Sequence, residues 1–373
     1  MTSYYLDIHA LQSVPPSNVN RDDTGAPKTA VYGGVRRARV SSQAWKKAVR
    51  SSFDEFVDPE KRGKRTLRVI ELLMDRMAEI APDLPEDERR ARALKVVTAL
   101  GFKTKAPRSK EGTDPLERTE YLVFYSNHQL DRLAELAVQA EGTVSSRDAK
   151  AAADTDHGID VGLFGRMVAD SKDLNVDAAV QVAHAISTHA VETESDYFTA
   201  VDDYKLDEDD AGAGMIGNIE FNSSTLYRFA TVDLNELQRS LGDVELTAEA
   251  ATAFVRGFIV SMPTGKQNTF GNNTLPDGVV VQLRRGRSVS FVGAFETPVT
   301  SSGGYMANSV TALAEYATSV QNAYLDEPIV SLVTRAGVHS EPLAELGESL
   351  PLSELLERVR PAIEGVLRSE DGS

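Results

Sequence analysis

The chain has 373 residues, 41% of them hydrophobic and 26% charged, enough to bury a core and long enough for roughly two or three domains. Its formal net charge is −16 and it has no cysteine, which excludes disulfides and thiolate metal sites and fits a cytoplasmic protein. No stretch approaches the roughly 18 apolar residues of a membrane span, and the opening MTSYYLDIHALQSV has neither the basic nor the apolar region of a signal peptide.

Residues 2–14 alternate as a strand, with Tyr5, Asp7 and His9 on one side and Leu6, Ile8 and Ala10 on the other. Pro15 to Lys28, rich in Pro, Asn, Asp and Gly, predicts a long loop, and such loops in compact domains are usually functional or disordered. The run VYGGVRRARV predicts a hairpin turning at Gly33-Gly34. Ser41 or Ser42 then caps a helix starting near Gln43. On it Gln43, Lys46, Lys47 and Arg50 share a polar face, and Trp45, Ala48, Val49 and Phe53 the apolar one.

Residues 59–153 read as a charged helical insertion, followed by the glycine-punctuated GIDVGLFGRM and a helix over 175–191. Residues 192–221 read as an acidic loop or extended hairpin. Beyond it come a strand (SSTLYRFATVDL), a helix (AEAATAFVRGFIVSM) and a strand or hairpin (GVVVQLRRGRSVSF). Two helices complete the series, TALAEYATSVQNAYLD and an acidic amphipathic one over 351–368. Without the insertions the order is β-α-β-β-α-β, so the fold class is α+β and ferredoxin-like.

The negative charge is uneven. Residues 1–50 carry +5, residues 191–222 carry −9 and residues 337–373 carry −5. Exposed charges are screened beyond about 10 Å, so an acidic total leaves room for a basic groove. Arg21, Lys28, Arg36, Arg37, Arg39, Lys46, Lys47 and Arg50 cluster around two turns and a helix start, where cations and free backbone N–H groups can hold phosphates. A solvated basic face is the plainer reading of the same residues. The stacking aromatics of an RRM surface are missing. The spacing of His184 and His189 is wrong for a shared helical metal face, and no nucleotide-binding or hydrolase motif is present. Asp22-Asp23 or Asp202-Asp203 could hold a divalent metal for phosphodiester cleavage, although adjacent loop acids more often serve turns. Phe198, Val201 and Ile216 are apolar positions in the acidic stretch, placed either to pack locally or to meet a base or a neighbouring subunit.

Five blocks bear a family likeness in one order: SNVNRDDTGAPKTAVYGGVRRARVSSQAWKKAVR, IDVGLFGRM, VAHAISTHAVETESDYFTAVDD, IGNIEFNSSTLYRFATVDL and PTGKQNTF. Together they resemble the CasC-type backbone subunit of the type I-E CRISPR Cascade surveillance complex over most of residues 1–300. The stretches 59–150 and beyond about 325 show little of it. The resemblance implies a right-hand shape, with a modified RRM palm over 1–58, 180–191 and 222–373. Helical fingers would occupy 59–179 and a thumb hairpin 192–221. It also implies a non-catalytic protein without metal or cofactor, stacked head to tail with its own copies along the spacer of a guide RNA (crRNA). Each thumb would displace a base at regular intervals while the guide pairs with a target DNA strand in antiviral defence. Further partners would be the large, small, crRNA-processing and 5′-end-capping subunits and, indirectly, a recruited nuclease-helicase. Carried over by position, Arg21, Lys28, Arg37, Ser41, Gln43, Lys46 and Arg50 would grip the RNA backbone. Met167, Phe198, Val201 and Ile216 would wedge at the displaced nucleotide, with Lys266 and Gln267 as additional contacts.

Overall fold

The computed structural model describes residues 2–107, 115–140, 143–168, 172–200 and 215–371. In chain order the first elements are β1 (Tyr4–Ser17), β2 (Thr29–Tyr32), β3 (Val35–Val40) and α1 (Ser42–Ser52). Next come β4 (Gly63–Thr66), α2 (Val69–Ile80), α3 (Glu86–Ala99), β5 (Thr104–Lys105) and β6 (Arg118–Thr119). They are followed by β7 (Val123–Ser126), α4 (Asn127–Gln139), α5 (Ser146–Ala153) and α6 (Ile159–Phe164). Four strands follow: β8 (Val180–Val182), β9 (Ala185–Ser187), β10 (Glu194–Ala200) and β11 (Met215–Asp233). Then come α7 (Leu234–Leu241), α8 (Val244–Val260), α9 (Gln267–Phe270) and β12 (Gly278–Arg285). The last are α10 (Met306–Tyr324), β13 (Val330–Arg335), β14 (Glu348–Ser349) and α11 (Leu352–Asp371).

The chain divides into two compact units. One is Met1–Ser52, Gln181–Thr231 and Phe254–Val366; the other is Phe53–Val180, Val232–Ala253 and Leu367–Ser373. The first is organised by a sheet in the order β14-β13-β12-β1-β11-β9-β3-β2, with β10 paired to β11 off that path. Its central run β12-β1-β11-β9, with α1 and α8 in the crossovers, is the strand order of a β-α-β-β-α-β ferredoxin-like fold. β1 pairs antiparallel with β12 from Tyr4↔Arg285 to Leu11↔Gly278, and Leu6 to Gln12 are buried without a break. A strand in the middle of a sheet covered on both faces hides polar and apolar positions alike. The sequence alternation therefore marks two buried faces.

One of those faces lies under an apolar layer. Leu11, Tyr227, Phe229 and Val280 from the sheet pack with Phe291, Phe295, Val310 and Leu313 in one cluster. An RRM would use such a face to stack bases; here it is core. His9 lies within the layer, its ring stacked 4.3 Å from that of Phe291 and its Nδ1 2.9 Å from the Tyr227 hydroxyl. Burial, with Arg284 second, pushes the imidazole pKa down to about 3 from 6.5. The folded protein thus holds His9 neutral while the unfolded chain protonates it near 6.5. Its contribution to stability is complete above pH 6.5 and is lost as pH falls toward 3. Urea midpoints measured from pH 7.5 to 4.5 should fall more steeply for the wild type than for His9→Gln; equal slopes would remove His9 from the acid sensitivity.

The second unit is mainly helical. Leu130, Leu133, Ala134 and Ala137 recur at i, i+3, i+4 and i+7 on α4 and meet Leu73 and Met77 of α2 and Val96 and Val97 of α3 in one cluster. Ser126 and Gln129 form a reciprocal capping box at the start of α4, which fixes where that helix begins. Two short antiparallel ribbons, β4–β7 and β5–β6, accompany the helices.

Three expectations need correction. β1 runs to Ser17, so the loop after it is shorter than read. Residues 175–191 hold no helix: Val180–Val182 and Ala185–Ser187 are strands, with β9 paired to β11 and to β3. Ala and Val at three- and four-residue spacings imitate a helical stripe there, and open strand edges on both sides decide otherwise. GVVVQLRRGRSVSF is a strand over Gly278–Arg285 as expected, but the part after Arg285 is neither strand nor hairpin. The Val289 N–H donates to Asp7 Oδ2 (2.9 Å) and the Phe291 N–H to the Tyr227 hydroxyl (2.9 Å), so side chains take the donors a strand partner would need.

Candidate nucleic-acid interface

The hairpin β2–β3 pairs Thr29↔Ala38 through Tyr32↔Val35 and turns on Gly33 and Gly34, both with positive φ (59° and 76°), as a two-residue loop requires. A Cβ at Gly33 would come within 1.7 Å of the Glu296 carbonyl oxygen, so backbone touches backbone there. The loop over 18–28 is held by its own polar groups. Asn18 Nδ2 donates to the carbonyls of Gly25 (2.9 Å) and Glu220 (2.8 Å), and the Lys28 N–H to Asn20 O (2.9 Å). The Ser41 N–H donates to Asn20 Oδ1 (2.8 Å), tying the loop to the start of α1, where Ser41 Oγ accepts from Ala44 N. Asp22 Oδ1 accepts from the Thr24 N–H, the Thr24 hydroxyl and the Ala26 N–H. Those bonds, the Thr24 hydroxyl foremost, hold the Asp22 carboxyl below its usual range. This carboxylate is committed to its turn, the ordinary role of a loop aspartate. Among the described residues no group of three or more His, Asp or Glu side chains is placed to hold a metal.

The predicted residues then take distinct positions. Arg21 is exposed, Lys28 half-buried, and on α1 Gln43 and Lys47 face outward while Lys46 and Arg50 are half-buried. Burial lowers the Lys46 pKa. Arg37 belongs elsewhere: it is 0% exposed and donates to the carbonyls of Tyr32, Ser187, Phe295 and Glu296. That leaves it no face for a ligand, and its work is to pin the hairpin. Lys266 sits in the left-handed region (φ 51°) ahead of α9, with Gln267 bonded to Asn273. The preceding Gly265 lies so close to Val19 that a Cβ would be 2.2 Å from its carbonyl oxygen. An open cleft is lined there by Val19 to Gly25 and Gly265, which brings the Arg21 loop and the Lys266 turn together.

The remaining apolar candidates lie on two elements. Phe198 is 36% exposed, and its ring covers Gly217 across the β10–β11 ladder. Val201 falls outside the described residues, as does the side chain of Ile216. Met167, in the helical unit, is 85% exposed although its neighbours are fixed: Arg166 Nε donates to Leu174 O (2.7 Å) and the Val168 N–H to Asn175 Oδ1 (2.6 Å).

Charge pairing separates the two sets of cations. In the helical unit Arg76 pairs with Asp131, Arg90 with Glu117, Arg92 with Glu88 and Lys150 with Asp173. In the first unit Arg21, Lys28, Lys46 and Lys47 make no ion pair among the described residues. The chain has 56 acidic residues, and none of those described is set against these cations. One more member, His184, is not among the cations that the sequence groups together. Arg39 Nη1 and the Ser42 N–H both lie 3.3 Å from His184 Nδ1, a meeting that a helix over 175–191 does not predict.

The comparisons agree with this architecture. The profile of the CT1975-like protein family matches residues 6–358. A solved structure described as "CRISPR RNA-guided surveillance complex, pre-nicking" is similar with a TM-score of 0.85 and 34% identity, covering 96% of this chain and 100% of the other. Another, "CRISPR RNA-guided surveillance complex", has a TM-score of 0.73 and 29% identity, covering 95% and 99%. No curated protein sequence matches the chain. With nearly its whole length inside the matched span, and the fold in agreement, the chain belongs to the CT1975-like protein family.

Proposed function

We propose that this protein is a non-catalytic, guide-RNA-binding backbone subunit of a type I-E CRISPR Cascade complex. The observation that carries the reading is the likeness, over 96% of the chain at 34% identity, to a chain of an RNA-guided surveillance complex. Arg21, Lys28, Lys46 and Lys47, which make no ion pair among the described residues, support it, because they suit a phosphate backbone and read no base. Arg21, Lys28, Ser41, Gln43, Lys46 and Arg50 hold the crRNA, with Lys266 and Gln267 beside the same cleft; Arg37 acts through the hairpin it fixes. Phe198 and Ile216 on the β10–β11 hairpin, together with Val201 and Met167, wedge at a displaced base. Copies stack head to tail along the spacer, and such an interface, if it does not close on itself, grows a helical filament. Sequence specificity comes from pairing of the guide with target DNA. The other Cascade subunits bind the ends and flank of this filament in the cytoplasm, and a nuclease-helicase is recruited to the whole.

Native mass spectrometry over a series of guide lengths tests this. Mass should rise by whole protomers as the RNA lengthens. One fixed stoichiometry, or no retained RNA, would count against a backbone that polymerises on its template.

A further inference from the structure

His184 is exposed, yet its Nδ1 is committed. The Ser42 backbone N–H can only donate, and so can the Arg39 guanidinium, so a ring nitrogen 3.3 Å from each must be the unprotonated acceptor. The neutral ring therefore carries its proton on Nε2. Arg39 is steadied from behind by its Nε bond to Thr29 O (3.2 Å). Among the described residues, Arg39 from β3 and Lys28 from the loop are the charged groups acting on the ring, and α1 contributes the Ser42 N–H. Desolvation first, then those two cations, holds the imidazole below its usual range.

We propose that His184, Arg39 and Lys28 form a proton-linked phosphodiester site, in which His184 takes up a proton as a guide phosphate arrives. The inference rests on the RNA-backbone reading above and adds residues and a pH dependence to it. The neutral imidazole occupies, as an acceptor, two donors that a phosphate oxygen would also use. Protonation at Nδ1 turns the ring into a donor and ends both of its contacts. The Ser42 N–H, the Arg39 guanidinium and the imidazolium then all face the anion. A phosphate supplies the negative charge that this corner lacks, so binding raises the imidazole pKa and protonation tightens binding, by the same factor in each direction.

The test uses the full chain with a single-stranded RNA of guide length, at constant salt. Affinity is measured from pH 8 to 5.5 for the wild type and for His184→Gln, whose amide oxygen keeps an acceptor without a titrating proton. The wild type should gain affinity as pH falls, by up to about tenfold per pH unit between the free and bound pKa values. His184→Gln should show a shallower slope. NMR titration of the His184 ring should show its pKa raised by RNA. Equal slopes for the two proteins, or an unmoved His184 pKa in the RNA complex, would overturn the inference and leave the RNA reading intact. Absence of RNA binding at every pH would overturn both.

Discussion

Trp45→Ala is expected to destabilise the first unit by about 3–5 kcal/mol, the range for deleting a large buried aromatic side chain. The indole is 1% exposed on the inner face of α1, with the Arg228 guanidinium 3.8 Å above its ring. Arg228 is itself buried, bonded to Gln12 Oε1 (2.6 Å) and the Phe258 carbonyl, and burial lowers its pKa to about 9. It is a cation held by stacking and carbonyl or amide oxygens, so removing the ring opens a cavity and strips the charge of its cover. Trp45 is the single tryptophan, so wild-type unfolding can be followed by its fluorescence and that of the variant by circular dichroism. A loss below about 1 kcal/mol would show that the helix is not anchored through this side chain.

Lys46→Ala combined with Arg50→Ala should have the opposite signature: intact folding and a large loss of RNA affinity. Charge-assisted hydrogen bonds contribute about 1.5–3 kcal/mol each, so a combined loss of at least about a hundredfold at low salt is expected. The slope of log affinity against log salt should become shallower by about 1.4, from about 0.7 per phosphate contact removed on a single strand. Both residues are half-buried on the face of α1 away from Trp45, and the unfolding midpoint should move little. An unchanged salt slope in a folded double variant would take these two side chains off the RNA backbone.

Local chemistry made much of this architecture legible in the sequence. The Gly33-Gly34 turn, the cap at Ser41, the apolar stripe of α1 and the four-residue recurrences of α4 all depend on neighbours in the chain. The failures have the opposite character. Whether 180–187 forms helix or strand is decided by Tyr227 and Arg39, residues far along the chain that offer it ladder partners. The three arginines of VRRARV look alike in sequence. In the fold Arg36 is exposed, Arg37 is buried among four carbonyls, and Arg39 reaches His184. Alternation predicts that two of them share a face, and it cannot say that one of those two would be consumed by the core.

The length of β11 carries a consequence for how this protein can vary. From Met215 to Asp233 it is one uninterrupted strand of 19 residues, paired with β10 at one end and with β9 at the other. A single inserted residue within it would turn every later side chain to the opposite face, burying what should be wet and exposing the core. Change is therefore confined to the span between Ala200 and Met215, or must come as a bulge or in steps of two. Related chains should differ freely in the size of that span and hardly at all in the count of residues from Met215 to Asp233.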